Sequence, residues 1–581
     1  MRQQYAWRSM LLNGFLAFIA TLIVLQMVRI QASAEADAFR DQKNNFAGEY
    51  RTYYPERGEI YDRNGHLLAG NRTIYEVGVD LNSVRDPHSI AMAISVNLGK
   101  NYDDIYSEIL NPPAGFSYLV LDNQASPEAV AILKELKQKL NASENPTPSL
   151  AGLEFSPRLA RSYPEDALAS NVLGFVNLEG RGYFGVEEKY NDLLAGNPVQ
   201  VWVPSDPNRA VEIPRIPNGT SLILTLNRDL QDAVEKILDQ SLYEYGAQHG
   251  AIIVMNPQNG EIMAMASTPR MDLNNFQNYG VIYTNASEYN RATGMPYEPG
   301  SVMKIFTMAA ALDTGLVTPE TTFLDTGEFQ IGGVTIKNWD EQAWGLQTMV
   351  GCLQHSLNVC MTWLATQLGP QNFYGYLNRF GFGSLTGLDM AGEAAGRLKV
   401  PGDADWYPVD LGTNSFGQGV SATPLQVMAG ASAIANQGHM VTPHVLYAML
   451  RDGHQFNVPS QYAGTPIKAE TAATLTGMLA TSLENEASAA LVPGYRVAGK
   501  TGTAQIPTPY GFYDSSQTNA SFIGWGPVDD PQFMIYVWLE RPTTSIWGSE
   551  TAAPVFSEVA QKTAILLNIP PDSVRLQMAK R

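Results

Sequence analysis

The longest apolar run of the chain lies near its N-terminus. From Ser9 to Val28 the residues carry no charge and are mostly Leu, Ile, Phe, Val, Met and Ala. A helix of that length spans about 30 Å, the thickness of a bilayer core, so we expect one transmembrane helix over 9–28. A cleaved signal peptide is the alternative, because Ala32-Ser-Ala34 has the small residues of a cleavage site. We favour the anchor, since the run is longer than the apolar part of a signal peptide and Arg29 follows it directly.

Beyond this run the pattern changes to short apolar segments, which indicate an extended module over residues 29–204. Asn64-Gly65 lies between two short apolar runs and predicts a tight hairpin turn. Residues 127–140 have the spacing of a helix. Four prolines between Pro204 and Asn218 predict a connector, which we place at 205–220.

The remaining part of the chain, residues 221–581, alternates strand patterns with long helical stretches. Two early strands and three late strands are predicted, at 251–255, 261–266, 496–505, 519–526 and 532–539. Joined through the helical section between them, these strands can form one sheet with helices on its faces. This layering is that of an α+β domain.

Composition and charge narrow the function classes. The 581 residues are enough for about two to four domains, and 45% apolar residues can fill sizeable cores. The formal net charge of −19 argues against a nucleic-acid partner, because such proteins carry a basic face. The seven histidines have no metal-ligand spacing, so we expect no metal and no other cofactor, and we give His355 a structural role.

The two cysteines, Cys352 and Cys360, lie eight residues apart. If one helix carries both, their Cα atoms are about 12 Å apart, beyond the limit of about 7 Å for a disulfide. We therefore expect two buried thiols and no disulfide.

Ser301-Val-Met-Lys304 is the strongest chemical signal of the chain. Pro299-Gly300 precedes it, and apolar residues at helical spacing follow until Gly315. Residues three apart on a helix share a face, so Lys304 lies one turn from the Ser301 hydroxyl. A serine becomes a nucleophile when a base takes its proton, and burial near the positive end of a helix dipole favours the neutral lysine that could do so. By itself the tetrapeptide could also be an ordinary helix start.

Lys500-Thr-Gly-Thr503 lies on a predicted strand. Thr501 and Thr503 share one face of that strand, and Gly502 leaves room for a ligand or another backbone. Lys500 starts from the other face, so only its long flexible stem can bring the ammonium to the side of the threonines.

Ser356-Leu-Asn358 lies between these two motifs, at a predicted helix end. As a pattern, S-x-N is weak, because Ser95-Val-Asn97 and Ser143-Glu-Asn145 also match it. Only its position in the chain favours Ser356.

In this order, S-x-x-K, S-x-N and K-T-G resemble the active-site signature of penicillin-binding proteins and serine β-lactamases. Further segments narrow the resemblance to the monofunctional, class B penicillin-binding proteins, the cell-wall D,D-transpeptidases of division and elongation. The resemblance extends from Arg57 to about Phe556. It is carried by Arg57-Gly-Glu-Ile-Tyr-Asp-Arg-Asn-Gly65-His-Leu-Leu-Ala69, Arg161-Ser-Tyr-Pro164, Asn171-Val-Leu-Gly-Phe-Val176, Gly182-Tyr-Phe-Gly185-Val-Glu-Glu-Lys-Tyr190, Phe416-Gly-Gln-Gly419-Val-Ser-Ala-Thr-Pro424 and Ala552-Ala-Pro554-Val-Phe556.

This resemblance implies a penicillin-binding transpeptidase domain over 221–581, with the fold of the serine β-lactamases. That fold has a five-stranded antiparallel sheet, helices on both faces and a helical subdomain. Residues 29–204 would form a non-catalytic module of the pedestal or dimerisation type. Residues 1–8 would form a cytoplasmic tail, and the catalytic domain would lie outside the bacterial cytoplasmic membrane.

The resemblance also implies the reaction. Ser301 is expected to attack the carbonyl between the two terminal D-alanines of a peptidoglycan stem peptide while Lys304 takes its proton. An acyl-enzyme forms, D-alanine leaves, and an amine of a neighbouring stem peptide completes the cross-link. Acylation is then expected to fall in acid as Lys304 is protonated, whereas a flat rate from about pH 5 to about pH 9 would exclude Lys304 as the base.

The other motif residues take supporting roles by the same resemblance. Ser356 would relay a proton to the leaving D-alanine, and Asn358 would hold Lys304 and the substrate amide. Lys500 would supply positive potential. The terminal carboxylate would bind at Thr501, Gly502 and Thr503, and the N–H groups of Ser301 and Thr503 would form the oxyanion hole.

The partners expected from this resemblance are stem peptides, β-lactam antibiotics, the membrane and an integral-membrane glycan polymerase. Two alternatives remain. One is a membrane-anchored scaffold that activates the polymerase, and the other is a hydrolase of the D,D-carboxypeptidase or β-lactamase type, which passes the acyl group to water. A bifunctional polymerase-transpeptidase is disfavoured because the N-terminal region has no polymerase motif.

Overall fold

The computed structural model describes residues 3–33, 36, 48–141, 147–204, 216–486, 488–507 and 513–578. Its first helix, α1, runs from Gln3 to Gln31. Within it, Met10–Gln31 has a mean hydropathy of 2.2, and among the described residues it is the one helix long and apolar enough to cross a membrane. Its apolar side chains are exposed all around the helix, so α1 has the surface of a helix that needs an apolar environment.

The strands are numbered in chain order. They are β1 Gly48–Tyr53, β2 Ile60–Tyr61, β3 Leu67–Asp80, β4 Tyr118–Ala125, β5 Leu153–Ser162, β6 Phe175–Val176, β7 Gly182–Tyr183, β8 Val199–Pro204, β9 Ser221–Leu224, β10 His249–Met255, β11 Ile262–Ser267, β12 Thr322–Asp325, β13 Glu328–Ile331, β14 Val334–Lys337, β15 Gly345–Thr348, β16 Met440–Val441, β17 Leu446–Arg451, β18 His454–Asn457, β19 Tyr462–Gly464, β20 Ala498–Pro507, β21 Tyr513–Gly526 and β22 Phe533–Glu540.

The helices that follow α1 are numbered in the same way. They are α2 Pro87–Leu98, α3 Tyr102–Leu110, α4 Pro127–Asn141, α5 Ser170–Leu173, α6 Gly185–Lys189, α7 Asn191–Ala195, α8 Arg228–Tyr245, α9 Tyr279–Ile282, α10 Arg291–Gly294, α11 Lys304–Asp313, α12 Met349–Gln354, α13 Asn358–Arg379, α14 Pro408–Asn414, α15 Pro424–Ala435, α16 Ala469–Glu486, α17 Ala552–Leu566 and α18 Asp572–Met578.

The chain separates into two compact units, one of residues 1–56 and 196–219 and the other of residues 57–195 and 220–581. In the first unit, β1 and β8 form an antiparallel pair in which Tyr50 lies opposite Trp202. The two rings are 6.0 Å apart. A cross-strand aromatic pair of this kind stabilises a two-stranded ribbon.

Residues 57–195 of the larger unit are built around β3, which pairs antiparallel with β4 on one side and β5 on the other. Helices α2, α3 and α4 cover these strands and bury a small core that includes Val77, Ile94 and Leu133. The predicted hairpin is confirmed, because Asn64-Gly65 joins β2 to β3 and Gly65 has a φ of 87°. The predicted helix at 127–140 is α4.

A mixed sheet connects these residues with the chain that follows position 220. β2 pairs parallel with β9, with Ile60 opposite Leu222, and β9 pairs antiparallel with β17. Near this sheet the buried Glu187 carboxylate accepts hydrogen bonds from Arg57 at 2.8 Å and from Arg161 at 2.6 Å. Three of the segments that carried the family resemblance therefore meet in one ion-pair network.

The predicted five-stranded antiparallel sheet is confirmed, with the order β11-β10-β22-β21-β20. Its central strands are buried on both sides, so alternate residues enter different cores. Ile252 and Val537 pack in the core that contains α8 and α17, whereas Ile253 and Tyr536 pack in the core that contains α11 and α15. The sheet is thus covered on both faces, as the resemblance implied.

The two cysteines form a disulfide, so the expectation of free thiols is wrong. Cys352 belongs to α12 and Cys360 to the first turn of α13. Between them the chain turns at Ser356, whose φ is 52°, and the two Cα atoms come within 6.1 Å. The error was the assumption of one continuous helix.

Candidate active site

Ser301 lies in a 3₁₀ turn, Gly300–Met303, that continues directly into α11. Its neighbours Gly300, Val302 and Met303 are buried, whereas Ser301 is partly exposed. Gly300 has a φ of 61°, and a Cβ there would lie 2.9 Å from the Thr503 carbonyl oxygen on β20. The position therefore suits glycine alone, and it places the serine turn directly against β20.

Lys304 opens α11 and is fully buried. Its Nζ donates hydrogen bonds to the Ser356 carbonyl oxygen and to Asn358 Oδ1 at 2.8 Å, and it lies 3.0 Å from the Ser356 hydroxyl oxygen. Burial, together with the nearby positive charge of Lys500, holds the pKa of Lys304 well below its usual value. The lowered pKa lets the lysine amine reach its neutral form, which is the form that can accept a proton, at a lower pH than a free lysine does.

Ser356 connects α12 to α13 in a left-handed conformation. The Ser356 N–H donates to Leu353 O at 3.2 Å and the Leu357 N–H donates to Cys352 O at 3.0 Å, which is the Schellman pattern of a helix C-terminus. Glycine is the usual residue at this position, and another residue costs about 1–2 kcal/mol there. The conformation turns the Ser356 carbonyl and hydroxyl toward the same lysine.

Asn358 is held from both ends of its amide. Its Nδ2 donates to Lys337 O at 3.1 Å while its Oδ1 accepts from Lys304. Of the two other S-x-N matches in the sequence, Ser95-Val-Asn97 lies in α2 and Ser143-Glu-Asn145 lies outside the described residues. Among the described matches, the structure brings Ser356 and Asn358 to Lys304.

β20 carries the Lys500-Thr-Gly-Thr503 motif at the edge of the five-stranded sheet. Thr501 and Thr503 are partly exposed, and Gly502 between them is buried. The Lys500 stem turns back so that its Nζ donates to Thr501 Oγ1 at 3.1 Å. Lys500 is only 4% exposed, and burial lowers its pKa to about 8, although Glu486 opposes the effect.

The glycine between the threonines is required by its neighbours on the sheet. A Cβ at Gly502 would lie 2.3 Å from Ser521 Oγ on β21 and 3.0 Å from a methyl group of Val302. Ser521 is opposite Gly502 in the strand register. The motif strand therefore lies directly on the turn that carries Ser301.

Sequence reasoning missed three residues that lie beside the motif residues, Gly548, Trp339 and Trp547, because they are far from the motifs in the chain. Gly548 donates its N–H to Thr503 Oγ1 at 3.0 Å. Trp339 donates its indole N–H to the carbonyl of His355 at 3.0 Å. The rings of Trp339 and Trp547 meet edge to face, with their centroids 5.0 Å apart. This contact links the chain beside Ser356 to the chain beside Thr503.

Glu298 is a further residue of the site that the motifs did not reveal. Its Oε1 accepts the Gly419 N–H at 2.9 Å, and its Oε2 accepts the Tyr513 O–H at 3.1 Å. Burial raises the pKa of Glu298. The residue lies three positions before Ser301, so it joins the serine turn to the 416–419 loop and to the start of β21.

The contacts of the His355 ring are with residues other than Lys304. Its ring stacks on Trp344 with the centroids 3.9 Å apart, and its Nδ1 lies 2.9 Å from the Glu486 carboxylate. Within the part of the chain that the structure describes, no group of three or more His, Cys, Asp or Glu residues could hold a metal ion.

Comparison with known proteins places these features in a family. The model of the penicillin-binding protein transpeptidase domain matches residues 250–561, and the model of the penicillin-binding protein dimerisation domain matches residues 52–209. The first of these matches covers more than half of the chain.

Curated relatives and solved structures agree with both matches. The stage V sporulation protein D of Bacillus subtilis is 32% identical over 533 residues, which cover 89% of this chain and 79% of the relative. The peptidoglycan D,D-transpeptidase FtsI of Escherichia coli is 26% identical over 98% of this chain and 93% of the relative. A crystal structure of penicillin-binding protein 3 from Mycobacterium tuberculosis complexed with aztreonam has a TM-score of 0.68 and 26% identity, and it covers 90% of this chain and 98% of that one.

The fold and the contacts around Ser301 are those of a serine acyltransferase. The two family models name the class of protein. The chain belongs to the penicillin-binding protein family, in its class B of division and elongation type. Its reaction is that of a peptidoglycan D,D-transpeptidase, which cross-links stem peptides through a serine acyl-enzyme and is acylated by β-lactams.

Proposed function

We propose that Ser301 is the nucleophile of the transpeptidation and that Lys304 is its base. The observation that carries this proposal is the surroundings of the Lys304 amine, which is buried between two pure acceptors, Ser356 O and Asn358 Oδ1, and one hydroxyl, that of Ser356. A neutral amine has two N–H groups for the two pure acceptors and keeps one lone pair. That lone pair can take a hydroxyl proton.

In the proposed acylation, Ser301 Oγ forms a bond to the carbonyl carbon of the penultimate D-alanine while its proton passes to Lys304. The bond to the terminal D-alanine nitrogen then breaks, and that nitrogen receives the proton from Lys304 through Ser356 Oγ. The backbone N–H groups of Ser301 and Thr503 stabilise the oxyanion, and each such donor contributes about 2.7–4 kcal/mol in a well-formed hole. In the second half, the amine of another stem peptide attacks the ester and returns its proton by the same path, which frees Ser301.

The terminal carboxylate of the donor peptide is proposed to bind at Lys500, Thr501 and Thr503. Because Thr503 Oγ1 already accepts the Gly548 N–H, its own hydroxyl hydrogen is available to a carboxylate oxygen. Lys500 supplies the positive charge beside Thr501. Gly502 keeps the strand close to Ser301 and so sets the distance between carboxylate and nucleophile.

Intact-mass spectrometry after incubation with benzylpenicillin tests these roles. The wild-type ectodomain is expected to gain one benzylpenicillin, and Ser301→Ala is expected to gain none. Ser356→Ala is expected to acylate at least tenfold more slowly, as for loss of a general acid-base group, while Ser95→Ala in the S-x-N match on α2 keeps the wild-type rate. An adduct on folded Ser301→Ala, or none on folded wild-type protein, would contradict the assignment.

We also propose that α1 anchors the protein in the bacterial cytoplasmic membrane as a single span, with the catalytic domain outside, and that an integral-membrane glycan polymerase binds the first compact unit. The exposed apolar side chains of α1 and the exposed Tyr50 and Tyr54 support an apolar partner for this unit. Copurification of a polymerase with the full chain, and its loss in a Tyr50→Glu/Tyr54→Glu variant, tests the proposal. Polymerase that copurifies equally with the variant would exclude this surface. In both preparations acylation by benzylpenicillin is expected to stay unchanged.

The division into a module at 29–204, a connector at 205–220 and a catalytic domain at 221–581 is likewise proposed. Because β9 lies between β2 and β17, a 221–581 fragment would expose one edge of β9. We expect that fragment to acylate but to aggregate more readily than residues 48–581. Limited proteolysis and light scattering of both proteins check this expectation.

A further inference from the structure

The disulfide encloses the loop that positions the lysine. Cys352 and Cys360 are both fully buried, and Ser356 and Asn358, which contact Lys304, both lie between them. A bridge across so short a stretch constrains each backbone angle inside it, because few loop conformations place the two cysteines within bonding reach.

Ser356 needs such a constraint more than Asn358 does. Its left-handed conformation is costly for a residue with a side chain. Asn358 has an independent partner in Lys337 O, and the next residue, Val359, donates its N–H to Asn338 Oδ1 at 3.2 Å. The start of α13 is thus held from outside the loop, while Ser356 depends on the end of α12 remaining in place.

The bridge links those two helix ends directly. Cys352 supplies the carbonyl that accepts the Leu357 N–H, so the residue that closes the left-handed turn is also one end of the disulfide. If α12 moved away, this hydrogen bond would break and Ser356 could relax to a right-handed conformation. Its carbonyl would then turn away from Lys304.

We propose that the Cys352–Cys360 disulfide is a positioning element of the transpeptidase reaction, which keeps Ser356 in the conformation that contacts Lys304. The proposal rests on the roles proposed above for Ser301, Lys304 and Ser356. Without the bridge, only the fraction of molecules with Ser356 turned toward Lys304 is competent, and the acylation rate falls to that fraction of its value with the bridge. Because both cysteines are buried, the bridge is expected to persist in the folded protein.

Mass spectrometry after alkylation tests whether the Cys352–Cys360 disulfide forms. The purified protein in denaturant without reductant is expected to take up no iodoacetamide, and after reduction it takes up two equivalents. Two alkylated thiols before reduction would overturn the proposal.

Its effect is tested with the Cys352→Ala/Cys360→Ala variant, assayed well below its melting temperature. For a diacetyl-lysyl-D-alanyl-D-alanine peptide we expect kcat to fall about tenfold, a change of about 1.4 kcal/mol, while KM stays within about twofold. KM is expected to stay nearly unchanged, because the carboxylate binds on β20, outside the loop at 352–360. The binding residues there are Lys500, Thr501 and Thr503. Acylation by benzylpenicillin is expected to slow by the same factor.

A matched control separates positioning from general destabilisation. Val559→Ala removes buried methyl groups from α17, in the other core of the sheet, and is expected to lower the melting temperature without changing kcat. An unchanged kcat in the double variant, or an equal loss in Val559→Ala, would overturn the positioning role. If wild-type protein were not acylated or Ser301→Ala were, the proposed function would fail instead, so the two failures are distinguishable.

Discussion

For a D-alanyl-D-alanine peptide, we expect the pH profile of kcat/KM to be bell-shaped. The Lys500→Arg variant is expected to lose one limb of this profile. Lys304 acts as a base only when neutral, so the rate rises with pH through its lowered pKa. Lys500 holds the carboxylate only when charged, so the rate falls as pH rises through its pKa of about 8. Arginine stays charged to above about pH 12, so the variant is expected to lose only the alkaline limb.

The size of the alkaline loss follows from the same pKa. At about pH 10, two units above a pKa of about 8, roughly 1% of Lys500 carries a charge. Binding only through the charged form would thus lower kcat/KM about 100-fold. A hydrogen bond to a charged group contributes about 1.5–3 kcal/mol, so the loss at about pH 10 is expected to lie between about 10-fold and this limit of about 100-fold.

The assay measures D-alanine release at low substrate concentration from about pH 5 to about pH 10 at constant ionic strength. Glu486→Gln is a useful companion variant, because Glu486 raises the pKa of Lys500 and its neutralisation should move the alkaline limb to lower pH. The reasoning is refuted if wild-type kcat/KM stays level up to about pH 10, or if Lys500→Arg shows the same alkaline loss.

Substitutions at three residues, Lys500, Glu298 and Gly502, test other contacts of the site. Lys500→Met should weaken carboxylate binding about 10-fold to 150-fold. It should also raise the free energy of unfolding at pH 7, on the order of 3 kcal/mol for a pKa lowered from 10.5 to about 8. Because the unfolded chain binds more protons between these values, wild-type stability should rise with pH there, and chemical denaturation at pH 7 and 10 checks both. The oxygen that Glu298→Gln retains can still accept from both Gly419 and Tyr513, because both donors reach Oε1, at 2.9 Å and 3.2 Å. Its acylation rate should therefore stay within about twofold. Glu298→Ala leaves both donors unpaired and should slow acylation by benzylpenicillin about tenfold. Gly502→Ala should destabilise the protein by about 1–3 kcal/mol, since its Cβ would meet Ser521 Oγ at 2.3 Å, and the added Ser521→Ala change should restore part of that loss in thermal denaturation.

Local sequence patterns predict much of this architecture. Ser301 and Lys304 are brought together by helical spacing over three residues, and the alternation of Thr501, Gly502 and Thr503 comes from the strand itself. The five strands of the catalytic sheet were predictable because their apolar runs are bounded by turn residues. β21 was predicted from residue 519, whereas it begins at Tyr513, because its first part is polar and pairs only with the edge strand β20.

The rest depends on contacts between distant parts of the chain. No glycine or proline marks the break at Ser356. A helix end was predicted near Ser356, but the distance between the cysteines was worked out for one continuous helix, and this gave the wrong conclusion about the disulfide. Glu298 and Tyr513 are 215 residues apart, and Thr503 and Gly548 are 45 apart. Such pairs follow from the packing of the whole unit, which no local pattern specifies.

The parallel pairing of β2 with β9 also sets an order for folding. During synthesis the N-terminal part of a chain appears first, so β2 and β3 are present before Leu222 and long before Leu446 on β17, the two positions that complete their sheet. Until β9 has emerged, β2 has an open edge, which can pair with the wrong strand. Chaperone protection of residues 57–195 during synthesis would therefore matter most before residues 221–224 have emerged.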